Sequence, residues 1–246
     1  MEANDSDDLG RRAAELVFQQ LRAKPASVIT LATGNTPLPL FRELVAASKM
    51  DAGLFKRAYF VTLDEYAGIA HEDRRRLLNW LRREFLEPAG IHDRQLIAFD
   101  PLAIPATESV RIEKAIEALG GLDLAVLGLG PNGHLGFNEP GSSFASRTRM
   151  VPLAAESIAS NAAYWGNEDD VPSNALTLGL GTLREAQSII LMVSGAGKAD
   201  VLARLLCGPI SESMPATLLR LCSASVVMAD RASLTRHYRN KEADQH

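Results

Sequence analysis

Continuous apolar, β-rich runs alternate with amphipathic stretches along almost the whole chain, and this alternation limits the possible folds more than any other feature. The runs are "SVITLAT" (27–33), "AYFVTLDE" (58–65), "QLIAF" (95–99), "LDLAVLGLG" (122–130), "ALTLGLG" (175–181), "SIILMVSG" (188–195) and "ASVVMAD" (224–230). Near-continuous apolar strands are buried on both faces, which is the habit of a parallel sheet. Between them, "LGRRAAELVFQQLRAK" (9–24) puts Leu9, Ala13, Val17 and Leu21 on one helical stripe. Thr36 as a hydroxyl N-cap before Pro37 predicts a helix through about Ser48. "DRRRLLNWLRREFLEP" (73–88) reads as a helix stopped at Pro88, and "ATESVRIEKAIEALGG" (106–121) as one ended by glycine. The pattern predicts an α/β fold: a mostly parallel sheet with helices on both faces, in a Rossmann-like three-layer arrangement.

With no internal repeat and no low-complexity linker, the 246 residues read as one domain, 1–246. Segment 142–174 stands apart. It is polar, lacks a buried strand, and ends in an acidic turn with Pro172, so it is expected to be a helical lid between two strands. The tail 237–246 is expected to fray.

A net charge of -4 argues against nucleic acid as a partner. No window approaches 18 uninterrupted apolar residues, so no membrane partner is expected. The acidic opening "MEANDSDD" lacks the basic and apolar regions of a secretory leader. Cys207 and Cys222 lack C-x-x-C spacing and read as two small apolar fillers, consistent with a cytoplasmic protein.

Ligands of parallel α/β sheets bind beyond the carboxyl ends of the strands. The first strand runs into "ATGNTP". Gly34 lets the backbone approach a ligand, while Thr33, Asn35 and Thr36 offer polar groups beside a helix N-terminus, an anion site. An ordinary capped turn would look the same. Lys198 follows "SIILMVSG" and would add a cation, although G-x-x-x-x-G-K-[ST] is not satisfied. The second strand ends in Asp64 and Glu65, whose side chains must point to opposite sides, so only one faces a pocket. That carboxylate is a candidate general base, against the plainer reading of a capping Asp with a solvated Glu.

"LGLGPNGHLGFNEPG" (127–141) holds Gly128, Gly130 and Gly133 in G-x-G-x-x-G spacing. The dinucleotide reading fails on context. Gly136, Pro140 and Gly141 forbid the helix that must follow, and position 153 is Leu where an acid is needed. What remains is His134 with Asn132 before it and Glu139 behind, a carboxylate-held imidazole able to exchange protons near neutral pH. No H-E-x-x-H or G-x-S-x-G pattern occurs, and neither a metal nor a cofactor is implied.

"LATGNTPLPLF", "FVTLDEY", "LGLGPNGHLGFNEPGSSFASRTR", "ALTLGLGTL" and "MVSGAGKADVL" together resemble the glucosamine-6-phosphate deaminases (isomerases), in order, over roughly residues 10–230. "GGLDLAVLGLGPNGHLGFNEPG" and "VSGAGKAD" look closer to the galactosamine-6-phosphate branch. The sister 6-phosphogluconolactonases share the fold and the G-x-G-x-x-G-H loop, but usually carry "GDER"-like and "DGHxASLFP" motifs. The resemblance implies that a hexosamine 6-phosphate and water give a ketohexose 6-phosphate and ammonia. It places Asp64 on the base that moves a proton between C2 and C1, His134 on ring opening at O5, and Glu139 on the partner of that histidine. Asn132 falls where members have Asp or Asn, and Thr33, Gly34, Asn35, Thr36 and Lys198 fall on the phosphate site. A neutral Asn132 would orient the imidazole N–H and leave Glu139 most of the electrostatic load.

Two departures stand out. Many deaminases carry a lid arginine that reaches the phosphate; here that position is Ala163, with one of Arg74 to Arg76 as a stand-in or simply a solvated face. Allosteric members carry a basic residue two positions after the equivalent of Arg149; here it is Val151, followed by Pro152, which implies no activation by an N-acetylated sugar phosphate. A 6-phosphogluconolactonase is the alternative enzyme, and a sugar-phosphate sensor the non-enzyme alternative. Members occur as monomers, dimers and hexamers, so a homo-oligomer stays open.

Overall fold

The computed structural model describes residues 1–243. Seven strands form one all-parallel sheet: β1 (Glu2–Ala3), β2 (Val28–Leu31), β3 (Tyr59–Thr62), β5 (Leu96–Ile97), β6 (Leu124–Gly128), β9 (Ser188–Val193) and β10 (Ser225–Asp230). Their spatial order is β1-β10-β9-β6-β2-β3-β5. In β2 the register sets Ile29 opposite Phe60 on one side and Leu124 on the other.

Alternate strand residues enter two separate cores, as two-sided burial requires. Val28, Ala125, Leu127 and Leu191 pack with Ile112 and Ile116 of α4 (Pro105–Ala118) and Leu202 of α7 (Ala199–Cys207). Ile29, Leu31, Val126 and Met192 pack the other way, on α1 (Ser6–Ala23) and α2 (Leu38–Met50). The predicted stripe Leu9, Ala13, Val17 and Leu21 is buried there. Gly10 has no room for a side chain, because an added Cβ would overlap Pro39, so α1 and α2 touch backbone to backbone. Phe41, Phe55, Phe60 and Phe85 fill this face with stacked and edge-on rings 5.2–5.8 Å apart.

A second, antiparallel sheet was not expected. It contains β4 (Asp64–Tyr66), β8 (Asn174–Thr177) and β7 (Arg149–Pro152), in the order β4-β8-β7. The predicted strand 58–65 therefore breaks at Leu63, its first half in the large sheet and its second half in the small one. The run 175–181 also splits, into β8 and the short helix α6 (Leu180–Arg184). Gly179 lies against the Arg147 backbone so closely that a Cβ would overlap it, and the chain turns there.

The segment 142–174 is only partly the expected lid. It contributes the edge strand β7 before its helix, α5 (Ala155–Trp165). The helix after the β4 end begins later than expected, as α3 (Leu77–Leu81), and passes into a π-helical turn, Arg82–Leu86. Thr36 does not cap α2. Pro37 stands at the N-cap with no side-chain bond, because the Leu38 N–H closes a turn onto the Asn35 carbonyl at 3.3 Å and Thr36 is left facing a cavity. Helix α8 (Arg231–Ala243) continues through part of the tail expected to fray; 244–246 lie outside the described residues. Cys207 is exposed, so of the two cysteines only the half-buried Cys222 fits the role of filler. Among the described residues no helix is long and apolar enough to cross a membrane.

Strands β2 and β6 are neighbours, yet the chain winds outward from them in opposite directions. Loops leaving their carboxyl ends diverge, and a crevice opens between them.

Candidate active site

A cavity of about 480 Å³ fills that crevice. Its wall takes Thr33 to Thr36 from the end of β2, Asp64 from the junction with β4, Gly128 to Pro131 and His134 from the end of β6, and Lys198 from beyond β9. All four strand ends singled out in the sequence therefore meet at one place. Helix α5 closes another side with Ser157, Ser160, Asn161, Tyr164 and Trp165.

Gly34 has φ +100, a conformation open to glycine, and it turns the β2 loop so that Thr33, Asn35 and Thr36 line the cavity ahead of α2. Lys198 ends a short 3-10 turn after β9. That turn is pinned by Asp230, which accepts hydrogen bonds from Ser194 Oγ (2.6 Å), the Gly195 N–H (3.0 Å) and the Ser233 N–H (2.8 Å). Burial lowers the Lys198 pKa, and among the described residues no carboxylate pairs with it. A half-desolvated ammonium without a counter-charge favours an incoming anion.

The three arginines 74–76 have separate fates. Arg76 is buried, donating to Glu65 at 3.1 Å and to the Phe99 carbonyl at 2.8 Å. Arg75 pairs with Asp73 and lies 4.3 Å from the centroid of the Trp165 ring, a cation–π contact. Arg74 lines the cavity, as do Arg75 and, from the π-helical turn, Arg83, a residue the sequence reading passed over, whose Nε donates to Glu84 at 2.9 Å.

Asp64 and Glu65 do point to opposite sides, but their roles are not those of capping Asp and solvated Glu. Glu65 is 1 % exposed and caps α3, accepting from the Leu77 and Leu78 N–H groups at 2.9 and 3.1 Å as well as from Arg76. Asp64 faces the cavity, and among the described residues nothing donates a hydrogen bond to it. Burial, with the negative charge of Glu65 next to it, pushes its pKa up to about 8. Gly136, at φ +58, keeps the β6 loop close: a Cβ there would come 2.8 Å from Thr177 Oγ1 and 3.4 Å from Asp64 Oδ2.

The imidazole of His134 lies flat on Gly130, where any side chain would overlap it. Its Nδ1 is 3.2 Å from Glu139 Oε2. Burial alone would raise the Glu139 pKa, but His134, Ser157 and Asn132 outweigh it and hold the carboxylate at about 2. Asn132 does not touch the ring. Its Nδ2 donates to Glu139 Oε2 at 2.8 Å and its Oδ1 accepts from the His134 N–H at 3.2 Å, because the carboxylate is the strongest acceptor in reach. Ser157 was not foreseen. It donates to Glu139 Oε1 and stands 3.2 Å from His134 Nδ1. Nothing in a polar lid sequence marks one serine among several, except that Ser157 shares a helical face with Trp165.

A larger concavity of about 670 Å³ lies before β6, lined by Glu113, Arg147, Thr148 and Thr182. Its polar groups already satisfy one another: Glu113 accepts from Arg147, Thr148 and Thr182. Unlike the smaller cavity, it brings together neither a histidine nor any of the four strand ends singled out in the sequence. No group of three or more His, Cys, Asp or Glu among the described residues is placed to hold a metal ion.

The family described as glucosamine-6-phosphate isomerases/6-phosphogluconolactonase matches residues 3–228. A glucosamine-6-phosphate deaminase of Pseudarthrobacter chlorophenolicus is 41% identical over 93% of this chain and 88% of its own length. Glucosamine-6-phosphate deaminase 1 of Bacillus subtilis is 36% identical over 94% and 96%. Among solved structures, a monomeric glucosamine-6-phosphate deaminase superposes with a TM-score of 0.93 at 35% identity, covering 96% of this chain and 98% of that one. The 6-phosphogluconolactonase of Trypanosoma brucei shares the fold, with a TM-score of 0.72 at 18% identity over 95% and 96%.

Proposed function

The chain belongs to the family of glucosamine-6-phosphate isomerases and 6-phosphogluconolactonases, and on that premise we propose that it is a glucosamine-6-phosphate deaminase that releases ammonia and a ketohexose 6-phosphate. One observation carries the reading: an anion cradle, a buried carboxylate and a carboxylate-held imidazole face a single cavity of sugar-phosphate size.

The phosphate is gripped by the 33–36 loop and Lys198, with Arg74 and Arg83 supplying the charge that Ala163 cannot. This grip is remote from the reacting carbons and turns proton transfer into an intramolecular problem. With Nδ1 engaged by Glu139, His134 offers Nε2. Its Nε2 lone pair takes the proton of the C1 hydroxyl and passes it to O5, and the ring opens to the aldehyde. Asp64 in its ionised form takes the proton from C2 and returns it to C1, while a proton passes from the amine to O1, so that C1 becomes an alcohol carbon and C2 an imine. Water adds to that carbon, and ammonia leaves. The charge of Glu139 supports the imidazolium whenever His134 holds two protons.

Ammonia release from glucosamine 6-phosphate and from galactosamine 6-phosphate, measured beside hydrolysis of 6-phosphogluconolactone, tests the reading and reports the preference at C4. Lactone turnover without ammonia from either amino sugar would reverse it.

A further inference from the structure

Helix α5 is exposed along most of its length and has two buried residues, Trp165 at its end and Ser157 in its first turn. Trp165 is an ordinary anchor, packed with Tyr66 and Phe137 in the small apolar core between α5 and the antiparallel sheet. Ser157 is not. It is 1 % exposed, and burying a hydroxyl is costly unless it is bonded. An alanine would seat the helix equally well, so the hydroxyl calls for another explanation.

Its partners supply one. A serine hydroxyl has a single hydrogen and two lone pairs, and an ionised carboxylate only accepts. The Ser157 hydrogen therefore goes to Glu139 Oε1, and an Oγ lone pair is left toward His134 Nδ1. Glu139 Oε2 faces the same nitrogen at the same 3.2 Å. Two acceptors converge on Nδ1, which must then carry the ring proton, and the lone pair of the neutral imidazole is confined to Nε2. Without Ser157, Glu139 Oε1 keeps only the Ala154 N–H at 3.4 Å, and the carboxylate, still held at Oε2 by Asn132 and His134, can pivot about that oxygen.

We propose that Ser157 is a positioning residue of the acid–base pair: it fixes the rotation of Glu139 and the tautomer of His134, and it is provided by the lid helix rather than by the loop that carries the pair. The proposal rests on the deaminase reading for its kinetic consequence only.

Ser157→Ala and Ser157→Thr separate positioning from packing. Ammonia release by Ser157→Ala is expected to show kcat lowered about 10–100-fold, the usual effect of losing a partner that orients a catalytic histidine, with KM within about threefold. Ser157→Thr, which keeps the hydroxyl, is expected to recover most of that loss at an unchanged melting temperature. Wild-type kcat in Ser157→Ala, or a threonine variant that folds normally and is as slow as the alanine one, overturns the proposal. A second readout does not need turnover: 15N spectra of the five histidines are expected to show His134 as a single Nδ1–H tautomer in the wild type and as a mixture in Ser157→Ala. A mixture already present in the wild type, or a single tautomer retained in the alanine variant, also overturns it. A wild type that releases no ammonia sinks the deaminase reading alone and leaves the spectra to decide on Ser157.

Discussion

Under the proposed mechanism, Asp64 couples rate and stability in one residue. Its carboxyl is 8 % exposed, sits beside the buried charge of Glu65 and has its pKa at about 8. A base must be ionised to act, so kcat/KM for the free enzyme is expected to climb as pH rises through about 8. Asp64→Asn is expected to lower kcat at least about 100-fold with KM little changed. The same group has a stability signature. Its folded pKa lies above the unfolded value of 3.8, so what it contributes is fully present below about pH 4 and is lost as pH rises to about 8. Asp64→Asn is therefore expected to melt higher than the wild type, with a gap that widens between pH 4 and pH 8 and then levels off; parallel melting curves would contradict the burial argument. On the phosphate side, Lys198→Ala and Arg83→Ala are each expected to raise KM about 10- to 100-fold, the worth of a charge-assisted hydrogen bond of about 1.5–3 kcal/mol, with kcat falling much less. Lys198, Asp64 and His134 stood out in the sequence as candidates because each lies at the end of an apolar run or within four residues after it. Arg83 and Ser157 did not, because they lie within helices, away from any strand end, where only the packed structure tells which face meets a cavity.

At the level of elements, the strands of the large sheet were legible wherever both faces are buried, as in β2, β6 and β9. The small sheet was not. Its strands β4 and β8 are continuations of apolar runs that begin or end in other company, and the break falls at Leu63 and at Gly179, where tertiary packing overrides local pattern. Glu65 illustrates the same limit. It looked like a solvated neighbour of Asp64, yet it takes the first N–H groups of α3 and thereby decides where that helix begins. The aromatic face between α2 and the π-helical turn is structural. Phe85 is fully buried among Phe41, Phe55 and Phe60. Phe85→Ala is expected to cost about 3–5 kcal/mol in denaturant unfolding, while the KM of whatever folded protein remains stays near the wild-type value.

For the molecule as a whole, the switch between β2 and β6 decides where the chemistry sits, and the order of strands and helices in the sequence was enough to point to it. The cavity was legible as far as the four strand ends reach; α5 was expected as a lid, but nothing in its composition told which of its side chains would face the cavity. Val151, where allosteric relatives carry a basic residue, is buried in the small apolar core rather than offered to a ligand. Velocity against glucosamine 6-phosphate is accordingly expected to be hyperbolic and unmoved by N-acetylglucosamine 6-phosphate; sigmoidal kinetics relieved by that compound would contradict this.

In the proposed mechanism the two sheets divide the substrate between them. The large sheet ends in the 33–36 loop, Lys198 and His134, whereas the small sheet carries Asp64, Tyr66 and, through β7, helix α5, which closes the other side of the cavity. A lineage that rebuilt β7 and α5 would exchange the surface that meets the ring and leave the phosphate handle intact. The architecture therefore offers a cheap route to new hexose substrates, and a chimera carrying a relative's 149–174 segment on this large sheet would be the natural unit of exchange.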